Sequence, residues 1–262
     1  MSIATSRSVA GQRVVVTAGA SGIGLAIARS FAAEGALVCV ADNSPQHLAI
    51  VRAEEPSIYA LQCDVADPEQ VHGLFHKLDA RWHGTFDVLV NNAGIAGPIA
   101  DVQDIEWQDW ERTLRVNVGG MFLCVQAALP MWRANGRGVI INISSTSART
   151  GMLKRLPYVV SKAAVHGLTL NLARELGPLG ISCNAVLPGM VDNPRGRRLL
   201  QDQAAEQGVS FERVLADNLR FVSMRTMIDP AEVAAICLHL ASPAGAHVSG
   251  QLIAVCGNAE WE

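Results

Sequence analysis

Tyr158 and Lys162 stand four positions apart in a chain that has only two tyrosines, and these residue types could transfer a proton. On a helix, positions i and i+4 lie on one face. A lysine ammonium beside a tyrosine hydroxyl favours the phenolate, which can accept a proton near neutral pH. Taken alone, the pair is equally consistent with an exposed Tyr and Lys on a solvated helix face. Its interpretation therefore depends on the elements around it.

Short β-branched runs alternate with helical stretches along the chain. The predicted strands are Arg13–Thr17, Ala36–Ala41, Ser57–Cys63, Phe86–Asn91, Gly138–Ser144, Ile181–Leu187 and Gln251–Val255. The predicted helices are Gly22–Glu34, Pro45–Glu54, Pro68–Arg81, Trp107–Arg133, Pro157–Leu176, Arg195–Arg220 and Pro230–Leu240. Apolar strands separated by helices predict an α/β fold, a doubly wound Rossmann-type parallel sheet with helices on both faces. Ligands bind such sheets beyond the carboxyl ends of the strands.

Bulk properties exclude several classes of function. The chain has 262 residues, half of them hydrophobic, which suits one large domain or two small ones. We expect a single domain over residues 1–262, with a substrate segment at about 190–228. A net charge of −3 gives no reason to expect nucleic acid or an anionic membrane as a partner.

No signal peptide and no run approaching a membrane span is expected. The six scattered cysteines contain no Cys-x-x-Cys pair and indicate buried thiols in a reducing cytosol. The dispersed histidines predict no metal site. We therefore expect a cytoplasmic protein.

A glycine-rich turn follows the first predicted strand and opens a helix, which suits a pyrophosphate at a helix N-terminus. Tight packing between strand and helix could also explain it. Asp42 ends the second strand, at the offset expected of a ribose-binding carboxylate, although it could instead cap the following loop. No arginine adjoins Asp42, so the pattern predicts NAD, not NADP. The candidate cofactor residues of the turn are Thr17, Gly19, Ser21, Gly22, Ile23 and Gly24.

Two further strand ends carry polar or small residues. Asp64 and Val65 follow the third strand and could bond the edge of an adenine, although an Asp at a strand end is common. Asn91, Ala93 and Gly94 end the fourth strand, where such residues also suit an ordinary turn.

Together these motifs resemble the short-chain dehydrogenase/reductase family in its single-domain form, from about Gly11 to Gly257. The residues that carry the resemblance are the glycine turn, Asp42, Asp64, Asn91-Asn92-Ala93-Gly94, Asn117, Ser145, Tyr158, Lys162 and Pro188-Gly189. The resemblance implies a sheet of seven parallel strands and a homotetramer or dimer.

The resemblance also implies roles for individual residues. Tyr158 is implied to be the catalytic acid/base, and Lys162 to bind the nicotinamide ribose and favour the phenolate. Ser145, and less so Ser144, is implied to bond the substrate oxygen. Asn117 is implied to hold a water that links Lys162 to solvent. Residues implied to line the nicotinamide pocket are Pro188, Gly189 and Val191.

Three positions depart from the family pattern. Ala18 stands where the family has the first glycine of the turn. Asn193 replaces a threonine and is a weak cofactor candidate. Cys256-Gly257-Asn258 replaces an Asp-Gly-Gly pattern, which puts the C-terminal packing and the subunit interface in question.

In the family, the substrate pocket is usually walled by the segment between Ser145 and Tyr158 and by the segment after Pro188-Gly189. Both segments are basic in this sequence. Their basic residues are Arg149, Lys154, Arg155, Arg195, Arg197 and Arg198. They could pair with a carboxylate or sulfonate on a small-molecule substrate, although solvated or acid-paired arginines are the commoner case.

The leading hypothesis is an NAD-dependent oxidoreductase that interconverts a secondary alcohol and a ketone, or a sugar hydroxyl and a lactone. A reductase of 3-oxoacyl thioesters is the enzymatic alternative. A non-catalytic sensor that binds NAD is the alternative from another class.

Overall fold

Seven parallel strands form one sheet at the centre of the computed structural model, which describes residues 8–260. The strand order is β3-β2-β1-β4-β5-β6-β7. The strands are β1 (Arg13–Thr17), β2 (Leu37–Asp42), β3 (Tyr59–Gln62), β4 (Val88–Asn91), β5 (Gly138–Ile143), β6 (Ile181–Pro188) and β7 (Leu252–Val255). The predicted doubly wound fold is confirmed, and the predicted strand bounds differ by a few residues.

Helices cover both faces of the sheet, which accounts for strands that are apolar along their length. The helices are α1 (Gly22–Ala33), α2 (Pro45–Glu54), α3 (Pro68–Trp82), α4 (Trp107–Leu114), α5 (Gly120–Asn135), α6 (Ser147–Thr150), α7 (Leu156–Leu176), α8 (Pro194–Gln207), α9 (Phe211–Leu219) and α10 (Pro230–Ala241). One core lies between the sheet and α1, α2 and α10. The other lies between the sheet and α3, α5 and the end of α7.

The direction of winding reverses between β1 and β4, which pair directly although β2 and β3 lie between them in sequence. The hydroxyl of Thr17, at the end of β1, accepts the backbone N–H groups of Asn92 and Ala93 at 2.9 and 3.0 Å. These bonds fix the carboxyl ends of the two strands together. A crevice at this reversal is where doubly wound sheets bind ligands.

The predicted helix Trp107–Arg133 is divided in the structure. A single wide turn of π-helix, Arg115–Gly119, separates α4 from α5. Residues 107–135 are long and apolar enough to cross a membrane by length and composition, contrary to the expectation that no run approaches that length. Cys124, Ala128 and Trp132 of α5 are fully buried against the sheet, which accounts for the apolar character of the stretch.

The predicted helix Arg195–Arg220 is also divided, into α8 and α9. Gly208 ends α8 with a φ of 65°, and the Ser210 hydroxyl caps α9 by accepting the Arg213 N–H at 3.2 Å. The two helices share a small core of Leu200, Ala204 and Val214.

The segment that contains α8 and α9 begins and ends at neighbouring positions, beyond the end of β6. The Ile228 N–H donates to the Met190 carbonyl at 2.8 Å, and the Asp192 N–H donates to the Ile228 carbonyl at 2.9 Å. Val191 and Ile228 thereby form a parallel bridge. Residues 192–227 are thus an excursion from the sheet whose two ends are joined.

The C-terminal departure from the family pattern forms a second attachment. Val222 and Ala259 form an antiparallel bridge, and the N–H groups of Ser223 and Met224 donate to the carbonyls of Asn258 and Gly257. Asn258 adopts a φ of 59°, which asparagine tolerates better than most residues. The chain after β7 therefore packs on the end of the excursion.

The cysteines lie where their apolar setting predicts. Cys39, Cys63, Cys124, Cys183 and Cys237 are buried and unpaired, and Cys256 is half-buried. Burial raises the pKa of the Cys237 thiol to about 12, so this thiol stays protonated.

Candidate active site

Tyr158 and Lys162 lie in the first two turns of α7, as predicted. Lys162 is 4% exposed, and its Nζ lies 5.8 Å from the centroid of the half-buried Tyr158 ring. The ammonium donates to the Ile143 carbonyl, at the end of β5, at 2.8 Å. The pair is therefore built into the core of the site and does not lie on a solvated face.

No carboxylate of the described residues forms an ion pair with Lys162. Burial, and next the nearby cation of Arg195, lower the pKa of Lys162 to about 8. A buried ammonium without a counter-ion is costly. An anionic group that approaches it, whether a phenolate or a ligand, offsets that cost.

Ser144 and Ser145 have different environments. Ser144 is buried, and its hydroxyl donates to the Lys162 carbonyl at 2.9 Å. Ser145 is half-buried, and its Oγ accepts the hydroxyl and the N–H of Ser147 at 2.9 and 3.2 Å. Both bonds leave the Ser145 proton free for another acceptor. Ser147, which opens α6, orients Ser145 and was not among the sequence candidates.

Asn117 lies in the wide turn between α4 and α5 and is fully buried. Its Oδ1 accepts the Ile95 N–H at 2.7 Å, and its Nδ2 donates to the Ile95 carbonyl and to Ser161 Oγ, both at 2.9 Å. Ser161 in turn donates to the Tyr158 carbonyl at 2.7 Å. Both N–H groups of the Asn117 amide are used, and the side chain joins α7 to the loop that follows β4. The role of Asn117 in holding a water stays a prediction.

Gly94 lies between Asn117 and Lys162. A Cβ at this position would lie 3.3 Å from both Asn117 Oδ1 and Lys162 Nζ. Gly94 thus lets the loop after β4 approach the ammonium closely, which explains the need for glycine there.

The glycine turn presents an uncapped helix N-terminus. Ser21 precedes α1 without capping it, and no acidic residue lies in the first turn. A Cβ on Gly22, whose φ is 54°, would meet no atom within 4 Å, whereas one on Gly24 would collide with the Ala18 carbonyl. The open side of the turn fits a pyrophosphate, because free N–H groups and the helix dipole favour an anion there.

Asp42 is buried at the end of β2 beside this turn. Its Oδ2 accepts the Ala20 N–H at 3.2 Å, and its Oδ1 accepts the Ser44 N–H at 3.0 Å. The carboxylate is therefore held rigidly between the turn and the loop before α2. The bond to the Ser44 N–H means that Asp42 does cap the following loop, as the alternative interpretation held, while α2 itself is capped by the Ser44 hydroxyl, which accepts the His47 N–H.

The remaining cofactor candidates also line the carboxyl edge of the sheet. Thr17 and Asn91 are about 1% exposed, and the described contacts of their side chains are with the strand ends. Asp64 Oδ1 accepts the Ala66 N–H at 2.9 Å, and Asn193 caps α8 by accepting the Gly196 N–H at 2.8 Å. The other candidates follow the ends of β1, β3, β4 and β6 or stand at those ends, and they are Gly19, Ile23, Val65, Ala93, Pro188, Gly189 and Val191.

Asn92 belongs to the motif Asn91-Asn92-Ala93-Gly94, but the sequence assigned it no role of its own. Its Nδ2 donates to the carbonyls of Thr17 and Ala18 at 3.0 and 3.1 Å. Asn92 therefore shapes the glycine turn from the neighbouring strand.

The six basic candidates separate into distinct groups. Lys154 pairs with Asp101 at 3.1 Å, and Arg197 pairs with Asp192, Nη2 to Oδ2, at 2.7 Å. Arg149 donates to the Leu252 carbonyl at 2.8 Å. Arg195 and Arg198 are exposed at the start of α8. Arg155 is 7% exposed. No group of three or more His, Cys, Asp or Glu side chains within residues 8–260 could hold a metal ion.

Comparisons with known proteins agree with this geometry. A family model described as enoyl-(acyl carrier protein) reductase matches residues 17–257. Dehydrogenase/reductase SDR family member 6 of Aquarana catesbeiana is 36% identical over 241 residues, which cover 92% of this chain and 94% of the relative. The 3beta-hydroxysteroid dehydrogenase of Mediterraneibacter gnavus is 33% identical over 258 residues, which cover 93% of each chain.

A solved structure agrees as well. The crystal structure of a variant of actinorhodin polyketide ketoreductase with NADPH superposes with a TM-score of 0.89 at 32% identity, and covers 94% of this chain and 96% of that one. The fold and the site define an oxidoreductase that uses a nicotinamide cofactor. The chain belongs to the short-chain dehydrogenase/reductase family.

Proposed function

We propose that this protein is an NAD-dependent dehydrogenase that converts a secondary alcohol to a ketone, or a sugar hydroxyl to a lactone. The observation that carries the proposal is the burial of Lys162 without a carboxylate partner, one helical turn from Tyr158. Such an ammonium favours a phenolate at Tyr158.

The chemistry divides among three side chains. Tyr158, as the phenolate, takes the proton of the substrate hydroxyl. Ser145 donates a hydrogen bond to the same oxygen and stabilises its negative charge as the proton leaves. Lys162 would hold the nicotinamide ribose and stabilise negative charge on the Tyr158 oxygen. A nicotinamide held there would supply the acceptor for the hydride of the carbinol C–H bond. Asn117 would position the water through which the proton reaches solvent.

The proposed cofactor is NAD because of Asp42. A carboxylate fixed by the Ala20 and Ser44 N–H groups can accept hydrogen bonds from both ribose hydroxyls. The same buried charge would repel a 2′-phosphate. The glycine turn contains no lysine or arginine between Thr17 and Gly24 to compensate.

Reduction of a 3-oxoacyl thioester is the second candidate, favoured by the similarity to a polyketide ketoreductase that binds NADPH. A preference for NADPH and for oxoacyl thioesters would replace the leading proposal with this one. A sensor would bind NAD without turning over any substrate.

The proposed substrate is a small molecule that carries a carboxylate or sulfonate, since basic residues wall the cleft. The proposed setting is the cytoplasm. We also propose a homotetramer or dimer, because Phe122 on α5 and Leu170 on α7 are each 51% exposed. Light scattering would measure the mass in solution, and a monomer would contradict this assembly.

The experiment that tests the function measures NAD and NADP reduction with polyols, sugars, hydroxy acids and sulfonated alcohols. We expect turnover with NAD, and a loss of about 100-fold or more in Tyr158→Phe. Tyr59→Phe is the matched control, because Tyr59 is the other tyrosine and lies in β3 under Arg81. Wild-type rates in Tyr158→Phe would overturn the mechanism.

A further inference from the structure

Arg155 differs from the other five basic candidates in the two segments that flank the site. It is 7% exposed and forms no ion pair with a carboxylate of residues 8–260. Its described hydrogen bonds run from Nη1 to the carbonyls of Ala96 and Gly97, and both are long at 3.4 Å. A guanidinium has several N–H donors, so most of its capacity is unused.

The position of Arg155 points at the reacting end of the cleft. It immediately precedes α7, three residues before Tyr158, and the two groups interact electrostatically. Burial and next the cation of Arg195 lower the pKa of Arg155. Arg195 acts on Lys162 as well. Arg195, from the first turn of α8, therefore lies near both groups and adds a second cation beside them.

We propose that Arg155 binds a carboxylate of the substrate in a bidentate manner, with Arg195 of α8 as a second nearby cation. This proposal rests on the proposed dehydrogenase function and names its substrate class as hydroxy acids. A buried charge without a counter-ion is costly in the free protein, and a planar carboxylate matches the guanidinium fork.

A purely structural role is the competing explanation. Arg155 could serve only to hold residues 96 and 97, whose loop is already fixed at Ile95 by Asn117. The two explanations differ in what they predict for charge selectivity. A group that holds the loop affects every substrate alike, whereas a carboxylate receptor affects acids alone.

The experiment compares kcat/KM for linear hydroxy acids with that for their methyl esters. The series places the carbinol at increasing distance from the carboxylate. We expect the wild type to prefer the acid of at least one pair. Arg155→Gln should lower kcat/KM for that acid by on the order of 30-fold or more, with little change for the ester. Arg155→Lys should restore part of the preference, because it keeps the charge without the fork.

Lys154→Gln is the matched control, since it removes the same charge from the adjacent residue, whose partner is Asp101. It should retain the preference for the acid. The melting temperature and the Kd for NAD, measured for each variant, report whether the loop is intact.

The outcomes separate the two proposals. Equal use of acids and esters by the wild type, or equal loss of both in Arg155→Gln, overturns the assignment of Arg155 and leaves the dehydrogenase intact. Absence of NAD reduction with acids, esters, polyols and sugars overturns the proposed function itself.

Discussion

Asn117 binds both peptide groups of Ile95, accepting its N–H at 2.7 Å and donating to its carbonyl at 2.9 Å. The same side chain reaches Ser161 on α7. Because the Asn117 side chain is fully buried and its bonds are therefore sheltered, Asn117 fixes where the loop after β4 lies relative to Tyr158 and Lys162.

Asn117→Ala should destabilise the fold by about 2–4 kcal/mol, because it leaves buried peptide groups unsatisfied. Urea denaturation measures this loss. Ser161→Ala removes one of the Asn117 contacts and should cost about 1 kcal/mol. Equal losses in the two variants would show that the bonds to Ile95 contribute little.

Gly94→Ala should impair catalysis. The added methyl would lie 3.3 Å from both Asn117 Oδ1 and Lys162 Nζ, so at least one of them must move. We expect kcat/KM to fall about tenfold or more, as small misplacements of a catalytic group do. Gly73→Ala, in α3 with no atom within 4 Å of the new methyl, should keep its activity and gain about 0.5–1 kcal/mol. Full activity in Gly94→Ala would contradict the close approach.

Ala18→Gly should stabilise the protein. Ala18 has a φ of 47°, a left-handed conformation that costs an alanine about 1 kcal/mol. Thermal and urea unfolding would measure the gain. Ala20→Gly, in the same turn, relieves no such strain and should destabilise by about 0.5–1 kcal/mol. A lower stability of Ala18→Gly than of the wild type would show that the turn tolerates alanine without strain.

The pH dependence of oxidation should reflect Lys162. Its pKa of about 8 means that the ammonium of the free enzyme loses its proton as pH rises through that value. Because kcat/KM reports groups of the free enzyme, we expect an alkaline decline that begins near pH 8. Arg195→Gln removes a repelling cation, so the pKa of Lys162 should rise and the decline should move to higher pH. The measurement uses an uncharged alcohol.

Arg198→Gln is the control for this pH shift, since Arg198 is exposed on the same helix and does not affect Lys162. An unchanged alkaline decline of kcat/KM in Arg195→Gln would exclude Lys162 as the origin of that decline.

The free energy of unfolding should also depend on pH through Lys162. The pKa of Lys162 is lower in the folded state than in the unfolded chain, so its burial is destabilising below pH 8. That cost declines as pH rises from about 8 towards roughly 10.4.

Asp42→Asn should weaken NAD binding by about 1–2 kcal/mol and reduce the discrimination against NADP, because the charge is lost while the shape is kept. Titration of each cofactor into the protein measures both effects without turnover. Unchanged affinities for both would show that Asp42 serves only to hold the N–H groups of Ala20 and Ser44.

The sequence was sufficient to predict the strands and the order of the motifs. Strands of a covered parallel sheet are apolar along their length, and the candidate site residues stand where those apolar runs end. The sequence was insufficient to predict where a helix breaks when contacts with distant residues determine the break. The wide turn at Arg115–Gly119 lies inside what the sequence predicts as one helix, and the bonds of Asn117 to Ile95 hold it in place. The break between α8 and α9 had a local signal in Gly208 and Ser210, which the polar pattern concealed.

The hydrogen-bond and ion-pair partners of individual side chains could not be predicted from the sequence either. Lys154 and Arg155 are adjacent and chemically similar, yet one pairs with an aspartate fifty-three positions away and the other is buried without one. Ser147 and Ser161 looked like ordinary polar residues, because their importance comes from contacts with Ser145 and Asn117.

The bridge between Val191 and Ile228 has a consequence for how such enzymes diversify. Residues 192–227 begin and end at one point, and α8 and α9 pack on each other around their own small core. An insert of this kind can be lengthened, shortened or exchanged without altering β2, β5 and α7, the elements that position Asp42, Ser145 and Tyr158. The insert carries Arg195 but neither Arg155 nor the catalytic candidates, so it is a part of the chain where the surroundings of the site can vary while the frame stays the same.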